Sequence, residues 1–175
     1  FNYNDVMSYD QRVTSAGVFE EPILVLPTAE DVLRRTKAAG IPEKNAMATR
    51  MDDYVGAVLG QLDALGLREN TMVIFTSDHG SRGKNSVFEG GAKVPMVVVW
   101  PEHIQAGAEN DSLIGNIDIA STLIEVAGGN APPDMVQDGR SFTSQLFGQP
   151  EPKDWRTHML IEAGNSRAIV TRDWK

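Results

Sequence analysis

The chain has 175 residues, and its 16 Lys and Arg against 24 Asp and Glu give a formal net charge of −8. This acidic balance argues against a nucleic-acid-binding surface, which needs a basic footprint. The sequence contains no cysteine, which excludes disulfides, zinc–thiolate sites and cysteine nucleophiles within these residues. A composition of 41% hydrophobic and 23% charged residues is typical of a globular domain with its own core. No apolar run approaches the roughly 18 residues of a membrane span.

The first 26 residues are polar and aromatic without a clear period, which predicts a loop with at most short elements. Thr28 and the acidic residues that follow it resemble a helix start, with a hydroxyl cap before acids in the first turn. This helix is expected to extend to about Ala39 and to end at Gly40, because glycine readily adopts the left-handed conformation that closes a helix.

A second helix is predicted between Asn45 and Gly66. Asn45 is a possible N-terminal cap, and Gly66 is a possible C-terminal stop. Apolar residues recur there at steps of three and four and line one face. These residues are Met47, Met51, Tyr54, Val55, Val58, Leu62 and Leu65.

Two continuous apolar runs of strand length follow, at residues 72–76 and 94–100, and are typical of central strands in a covered parallel or mixed sheet. Residues 118–127 read as a short helix, and residues 130–137 as a connector. Residues 157–161 and 168–171 read as strands of a new, antiparallel unit, separated by Gly164 and Asn165. Helices alternating with apolar strands predict an α/β layer protein.

Asp78 and His79 stand directly after the first apolar strand. Ligands of α/β sheets gather at the carboxyl ends of strands, and an Asp oxygen with a His nitrogen suits a divalent cation. Lys84 lies six residues beyond Asp78, in a glycine-rich loop that can fold back towards an anion held by the metal.

Each candidate also has a structural explanation. Asp78 could cap the backbone of a simple turn in which Gly80 supplies a positive φ. Lys84 could be a solvated loop residue. Glu89 is better explained by pairing with Lys93, or by capping the loop backbone, than by metal binding.

Read together, the string from Asn70 to Gly80, then Gly83 and Lys84, then residues 89–95, resembles the second signature region of the sulfatase family. Further pieces follow in the family's order and extend the resemblance over roughly residues 46–175. They are residues 51–56, 116–128, 138–141 and 168–175.

The resemblance implies an alkaline-phosphatase-like α/β fold, with a mixed, largely parallel sheet flanked by helices. It implies calcium-assisted hydrolysis of a sulfate monoester, with Asp78 and His79 as metal ligands and Lys84 as a catalytic contact to the sulfate oxygens. The family's Gly-Lys-Gly appears here as Gly83-Lys84-Asn85. The substrate would be a small-molecule or carbohydrate sulfate ester.

Other parts of the family pattern are absent from the sequence. The formylglycine nucleophile derives from a Cys/Ser-x-Pro-x-Arg motif, and neither this motif nor the N-terminal aspartate pair is found here. We therefore expect residues 1–129 to be the C-terminal portion of a catalytic domain, and residues 130–175 to be a connector and the start of a C-terminal subdomain. Such a fragment is expected to be inactive in isolation. The alternatives are a phosphate or phosphonate monoester hydrolase of the same superfamily, or a non-catalytic fragment.

Overall fold

The computed structural model describes residues 12–14, 17–19, 26–80 and 82–173. The chain divides into two compact units, Phe1–Arg68 and Glu69–Lys175. Most of the loop predicted over the first 26 residues lies outside the described residues. The parts that are described there are two short strands, β1 (Arg12–Thr14) and β2 (Gly17–Phe19), which pair antiparallel.

Two helices dominate the first unit and confirm the predicted pair. Helix α1 (Ala29–Ala38) begins at Thr28, whose hydroxyl accepts a 3.2 Å hydrogen bond from the N–H of Asp31. Helix α2 (Ala46–Ala64) follows a 3₁₀ turn, Glu43–Asn45. Asn45 occupies the predicted cap position, but its side chain makes no capping hydrogen bond.

A small core joins α1 to α2. Ala29, Val32 and Ala46 are fully buried, and Leu33 and Met47 pack against them. The remainder of the α2 apolar face is less covered. Met51, Val58 and Leu65 are 47%, 57% and 59% exposed, since the described part of this unit supplies no element to cover them.

Arg35 links the two helices through charge. Its guanidinium donates to Asp31 in its own helix at 2.8 Å and to Asp53 of α2 at 2.6 Å. The hydrogen bond with Asp53 is the main cause of the raised pKa of Arg35. Hydrogen bonds from Arg34 and Arg35 lower the pKa of Asp31 below its usual value.

Two hairpins organise the second unit. Strand β3 (Val73–Thr76) pairs antiparallel with β4 (Met96–Val99), and Thr76 lies opposite Met96. Strands β5 (Met159–Ala163) and β6 (Ser166–Val170) form the second pair, which confirms the predicted antiparallel unit near the end of the chain.

The described residues are therefore mixed α/β, as predicted, but every strand pair among them is antiparallel. The largely parallel sheet stays a prediction. Within the same residues, no helix is both long and apolar enough to cross a bilayer.

Three helices complete the second unit: α3 (Glu89–Ala92), α4 (Ile117–Val126) and α5 (Thr143–Leu146). The apolar period predicts only α4, because α3 and α5 have a single turn each and cannot display a helical repeat.

The glycines that end helices α1, α2 and α4 adopt one common backbone arrangement. After α1, Gly40 has a φ of 68°, and the N–H of Ile41 bonds to the carbonyl of Thr36 at 3.1 Å. This bond and the left-handed glycine define the Schellman motif, which satisfies carbonyls at a helix end. The same arrangement follows α2 at Gly66 and α4 at Gly128, with φ values of 66° and 69°.

Asp118 is the buried centre of the second unit. Its side chain has no exposed surface and accepts hydrogen bonds from Nη1 and Nη2 of Arg156, with the Nη2 bond at 2.6 Å. The backbone N–H groups of Gly115 and Arg140 donate to it at 2.8 Å each. One carboxylate therefore ties α4 to chain segments 22 and 38 residues further on. The predicted domain boundary at residues 129–130 lies between these partners and remains a prediction.

We expect Asp118→Ala to destabilise the complete protein by about 3–5 kcal/mol, because it leaves the charge of Arg156 buried without a partner. Arg167→Ala is the matched control. It removes an exposed pair with Glu162, which is worth at most about 1 kcal/mol. Urea unfolding midpoints measure both effects. Equal shifts would contradict the central role of Asp118.

Candidate active site

Asp78 and His79 directly follow β3, as the sequence predicts. The Oδ1 atom of Asp78 accepts the N–H of His79 at 2.9 Å, and the Ser77 hydroxyl donates to the carbonyl of His79 at 2.8 Å. These local bonds fix the backbone of the turn. The Asp78 side chain stays 83% exposed, so its second oxygen is available to a ligand.

The contacts of the His79 imidazole indicate which ring nitrogen carries the hydrogen. Its Nδ1 lies 2.8 Å from the carbonyl oxygen of Gly80, and a carbonyl only accepts, so Nδ1 must carry the hydrogen. In the neutral ring Nε2 then holds a lone pair, 3.6 Å from Oδ2 of Asp78. Two electron-rich atoms at this distance can bind one divalent cation between them.

The loop after His79 is held against a glycine pair. The N–H of Gly80 donates to the carbonyl of Gly91 at 2.9 Å, and that of Arg82 donates to Gly90 at 3.0 Å. A Cβ on Gly80 would lie 2.2 Å from the Gly90 oxygen, and one on Gly91 would lie 2.1 Å from the oxygen of Gly83. We call these four glycines the glycine clamp.

The clamp corrects one explanation offered by the sequence. Gly80 was expected to supply a positive φ, but it is not among the glycines with positive φ. The position requires glycine because the opposing backbone leaves no space for a side chain.

Lys84 occupies the first central position of a β-turn. The turn is closed by a 3.0 Å bond from the N–H of Ser86 to the carbonyl of Gly83. Asn85, at the next position, has a φ of 65°. Glycine and asparagine are the residues that tolerate this left-handed conformation, so Asn85 can replace the glycine of the family pattern without changing the turn.

Lys84 itself is exposed, and no hydrogen bond or ion pair among the described residues joins it to Asp78 or His79. Glu89 lies 4.0 Å from Lys93, which agrees with the ion-pair explanation for that carboxylate. The described residues contain no cluster of three His, Asp or Glu side chains able to hold a metal. Asp78 and His79 can therefore supply only part of a metal site.

The remaining histidines lie outside this site. His103 packs against Trp100 with ring centroids 3.9 Å apart, and His158 is exposed beside the Thr157 hydroxyl. Both observations are typical of packing and surface histidines.

Comparison with known proteins gives the chain its family. The sulfatase family model matches residues 12–129, about two thirds of the chain. The chain belongs to the sulfatase family. Its relatives include the steryl-sulfatase of Rattus norvegicus, which is 38% identical over 118 residues, or 56% of this chain and 20% of that protein. The chain thus spans about a fifth of the length of this sulfatase.

Solved structures agree on the fold. One, of a protein in complex with its substrate D-glucosamine-2-N,6-O-disulfate, has a TM-score of 0.66 and 24% identity. The shared region is 74% of this chain and 29% of that protein. The phosphonate monoester hydrolase of Silicibacter pomeroyi has a TM-score of 0.60 and 28% identity, and the shared region is 77% of this chain and 26% of that enzyme.

The clamp predicts that Gly80→Ala disrupts this sulfatase loop. The added methyl must displace the Gly90 carbonyl, which costs about 1–3 kcal/mol and breaks the bonds that hold the loop. Gly60→Ala in α2 is the control, because a Cβ there meets nothing within 4 Å and favours the helix. Thermal midpoints of the complete protein should fall for the first variant only. Unchanged stability of Gly80→Ala would contradict the clamp.

Proposed function

We propose that the complete protein is a sulfuric ester hydrolase that cleaves a sulfate monoester. The observation that carries the proposal is the arrangement of one loop. Asp78 and His79 present a carboxylate oxygen and an imidazole nitrogen 3.6 Å apart, and the glycine clamp folds the following segment, with Lys84 in its turn, back on Gly90 and Gly91. Membership of the sulfatase family supports the same reaction.

Asp78 and His79 would hold a calcium ion. The carboxylate suits calcium, which takes about six to eight oxygen ligands, and the imidazole supplies a nitrogen to the same cation. The remaining ligands would come from residues outside this chain. When bound, the metal would act as a Lewis acid on the sulfuryl oxygens.

Lys84 would neutralise charge on the non-bridging sulfate oxygens. It sits at an exposed turn and has no carboxylate partner within the described residues, so its ammonium group is free to meet an anion. An ammonium in a site from which substrate excludes water stabilises a developing negative charge far more than it would in bulk solvent.

The nucleophile, expected to be a formylglycine, would lie in a part of the protein outside this chain. The same part would supply further strands to the sheet that begins with β3 and β4, and would make it largely parallel. Residues 1–129 would then form the C-terminal portion of the catalytic domain, and residues 130–175 the start of a C-terminal subdomain. The isolated chain would be inactive.

A carbohydrate sulfate is the favoured substrate class. Its support is the fold shared with a protein solved in complex with D-glucosamine-2-N,6-O-disulfate. A small-molecule sulfate ester is the alternative within the same reaction, in line with the steryl-sulfatase relative.

A phosphonate or phosphate monoester hydrolase is the second candidate function. The phosphonate monoester hydrolase of Silicibacter pomeroyi shares the fold at 28% identity, and the Asp–His pair suits such a site. Parallel kcat/KM values on p-nitrophenyl sulfate and p-nitrophenyl phenylphosphonate distinguish the two. The sulfatase proposal requires the higher value on the sulfate.

Removing Asp78 should remove metal and activity together. In Asp78→Ala the remaining ligands lose one hard oxygen, so we expect bound calcium, measured by elemental analysis, and sulfatase turnover to fall in parallel. His79→Asn should lose less of both, since an amide oxygen can replace the imidazole. Full calcium content in Asp78→Ala would show that this residue serves only the turn.

Removing Lys84 should affect catalysis without affecting the metal. We expect Lys84→Ala to lower kcat/KM by at least about 10²-fold, or about 2.7 kcal/mol, as for loss of an oxyanion-hole donor. Calcium content should stay unchanged.

Lys93→Ala is the matched control, because Lys93 belongs to the same region of the chain but faces Glu89. Its kcat/KM should change much less. Near-normal kinetics in Lys84→Ala would mean that Lys84 is a solvated residue.

A further inference from the structure

Arg82 is a second exposed cation in the Lys84 loop. Five other arginines in the described part of the chain form ion pairs with carboxylates: Arg34, Arg35, Arg156, Arg167 and Arg172. Arg82 has no such partner among the described residues. It has no role in the sequence-based hypothesis, although its charge lies only two residues before Lys84.

The backbone of Arg82 is fixed by the glycine clamp. Its N–H donates to the Gly90 carbonyl at 3.0 Å, and its own carbonyl oxygen would lie 2.2 Å from a Cβ on Gly90. The side chain therefore starts from a fixed point beside the proposed site. A cation with an ordered backbone loses less entropy on binding a ligand than one on a loose loop.

The local charge is opposite to that of the chain. The chain carries a net charge of −8, yet Arg82 and Lys84 both lack a carboxylate partner in the described part, whereas Lys93 faces Glu89. In the proposed mechanism, the metal and Lys84 already neutralise the sulfate that is hydrolysed. A further cation at this position fits a further anion.

The side chain is suited to that task. A guanidinium presents planar N–H donors that match two oxygens of a sulfate or carboxylate at once, which the ammonium of lysine cannot do. We propose that Arg82 is a specificity residue that binds a second anionic group, a sulfate or carboxylate, on a polyanionic carbohydrate substrate. This inference rests on the proposed sulfatase function and adds a preference for substrates with more than one negative group.

The test compares two competitors that differ by one anionic group. Inhibition constants are measured on the complete protein, with p-nitrophenyl sulfate as reporter, for N-acetylglucosamine 6-sulfate and for glucosamine N,6-disulfate. The variants are Arg82→Ala, Arg82→Lys and the control Lys93→Ala.

The wild-type protein should bind the disulfate about fivefold more tightly than the monosulfate, the upper range for one exposed charge pair. Arg82→Ala should abolish this ratio, Arg82→Lys should keep part of it, and Lys93→Ala should retain it. The ratio should also weaken with added salt, because exposed charges are screened.

Three results would overturn the inference: no preference in the wild type, a preserved ratio in Arg82→Ala, or equal weakening of both sugars in that variant. Equal weakening would mean that Arg82 contacts the hydrolysed sulfate or only shapes the loop. Failure of the proposed function has a different signature, which is no turnover of p-nitrophenyl sulfate by the wild type. In that case, calorimetric affinities for the two sugars measure the preference for the disulfate without any need for turnover.

Discussion

The close contact of Gly80, Arg82 and Gly83 with the Gly90–Gly91 pair is the constraint on which the proposed active site depends. Two backbone hydrogen bonds of 2.9 and 3.0 Å bring the segments together, and no room for a side chain remains at the contact. Strands β3 and β4 enter and leave this loop as an antiparallel pair, so the clamp closes the end of their hairpin. The proposed metal ligands precede Gly80, and Lys84 lies between Gly83 and Gly90, so the glycine clamp constrains the backbone on both sides of the proposed site.

A second constraint holds the rest of this unit together. The buried carboxylate of Asp118 meets one guanidinium and two backbone N–H groups, so its charge is neutralised and its oxygens are hydrogen-bonded. Such a site is costly to assemble and costly to break, because loss of one partner leaves a buried charge. It fixes α4 to the segment before β5 without contributing to the chemistry proposed at Asp78. The packing of this unit and the proposed chemistry therefore rest on different carboxylates.

Local signals explain why much of the fold could be predicted from the sequence. The ends of α1, α2 and α4 follow from single glycines, whose left-handed conformation is a property of one residue. The β5–β6 hairpin follows from Gly164, which has a φ of 58° in a two-residue loop. What the sequence does not determine depends on distant residues. The cover for the α2 apolar face and the neighbours of β3 cannot be read from those segments themselves.

The site shows the same division between local and distant information. Asp78 and His79 could be proposed as ligands because they follow an apolar strand, and this assignment stays a prediction. The sequence shows Asn85 in place of the family's glycine, but only its φ of 65° explains why asparagine fits there. The role of Gly80 required the position of Gly90, ten residues away, so the sequence suggested a turn where the structure has a close contact. Arg82 belongs to no sequence motif. It is notable only because its backbone is fixed and its guanidinium has no carboxylate partner within the described residues.

The central claim is that Asp78 and His79 share one metal ion beside the Lys84 loop. Anomalous diffraction from crystals of the complete protein, grown with calcium, tests it most directly. We expect a calcium peak about 2.3–2.6 Å from an oxygen of Asp78, the usual calcium–oxygen distance, with the Nε2 of His79 turned towards it. A calcium ion bound elsewhere, with Asp78 only capping the N–H of His79, would contradict the account.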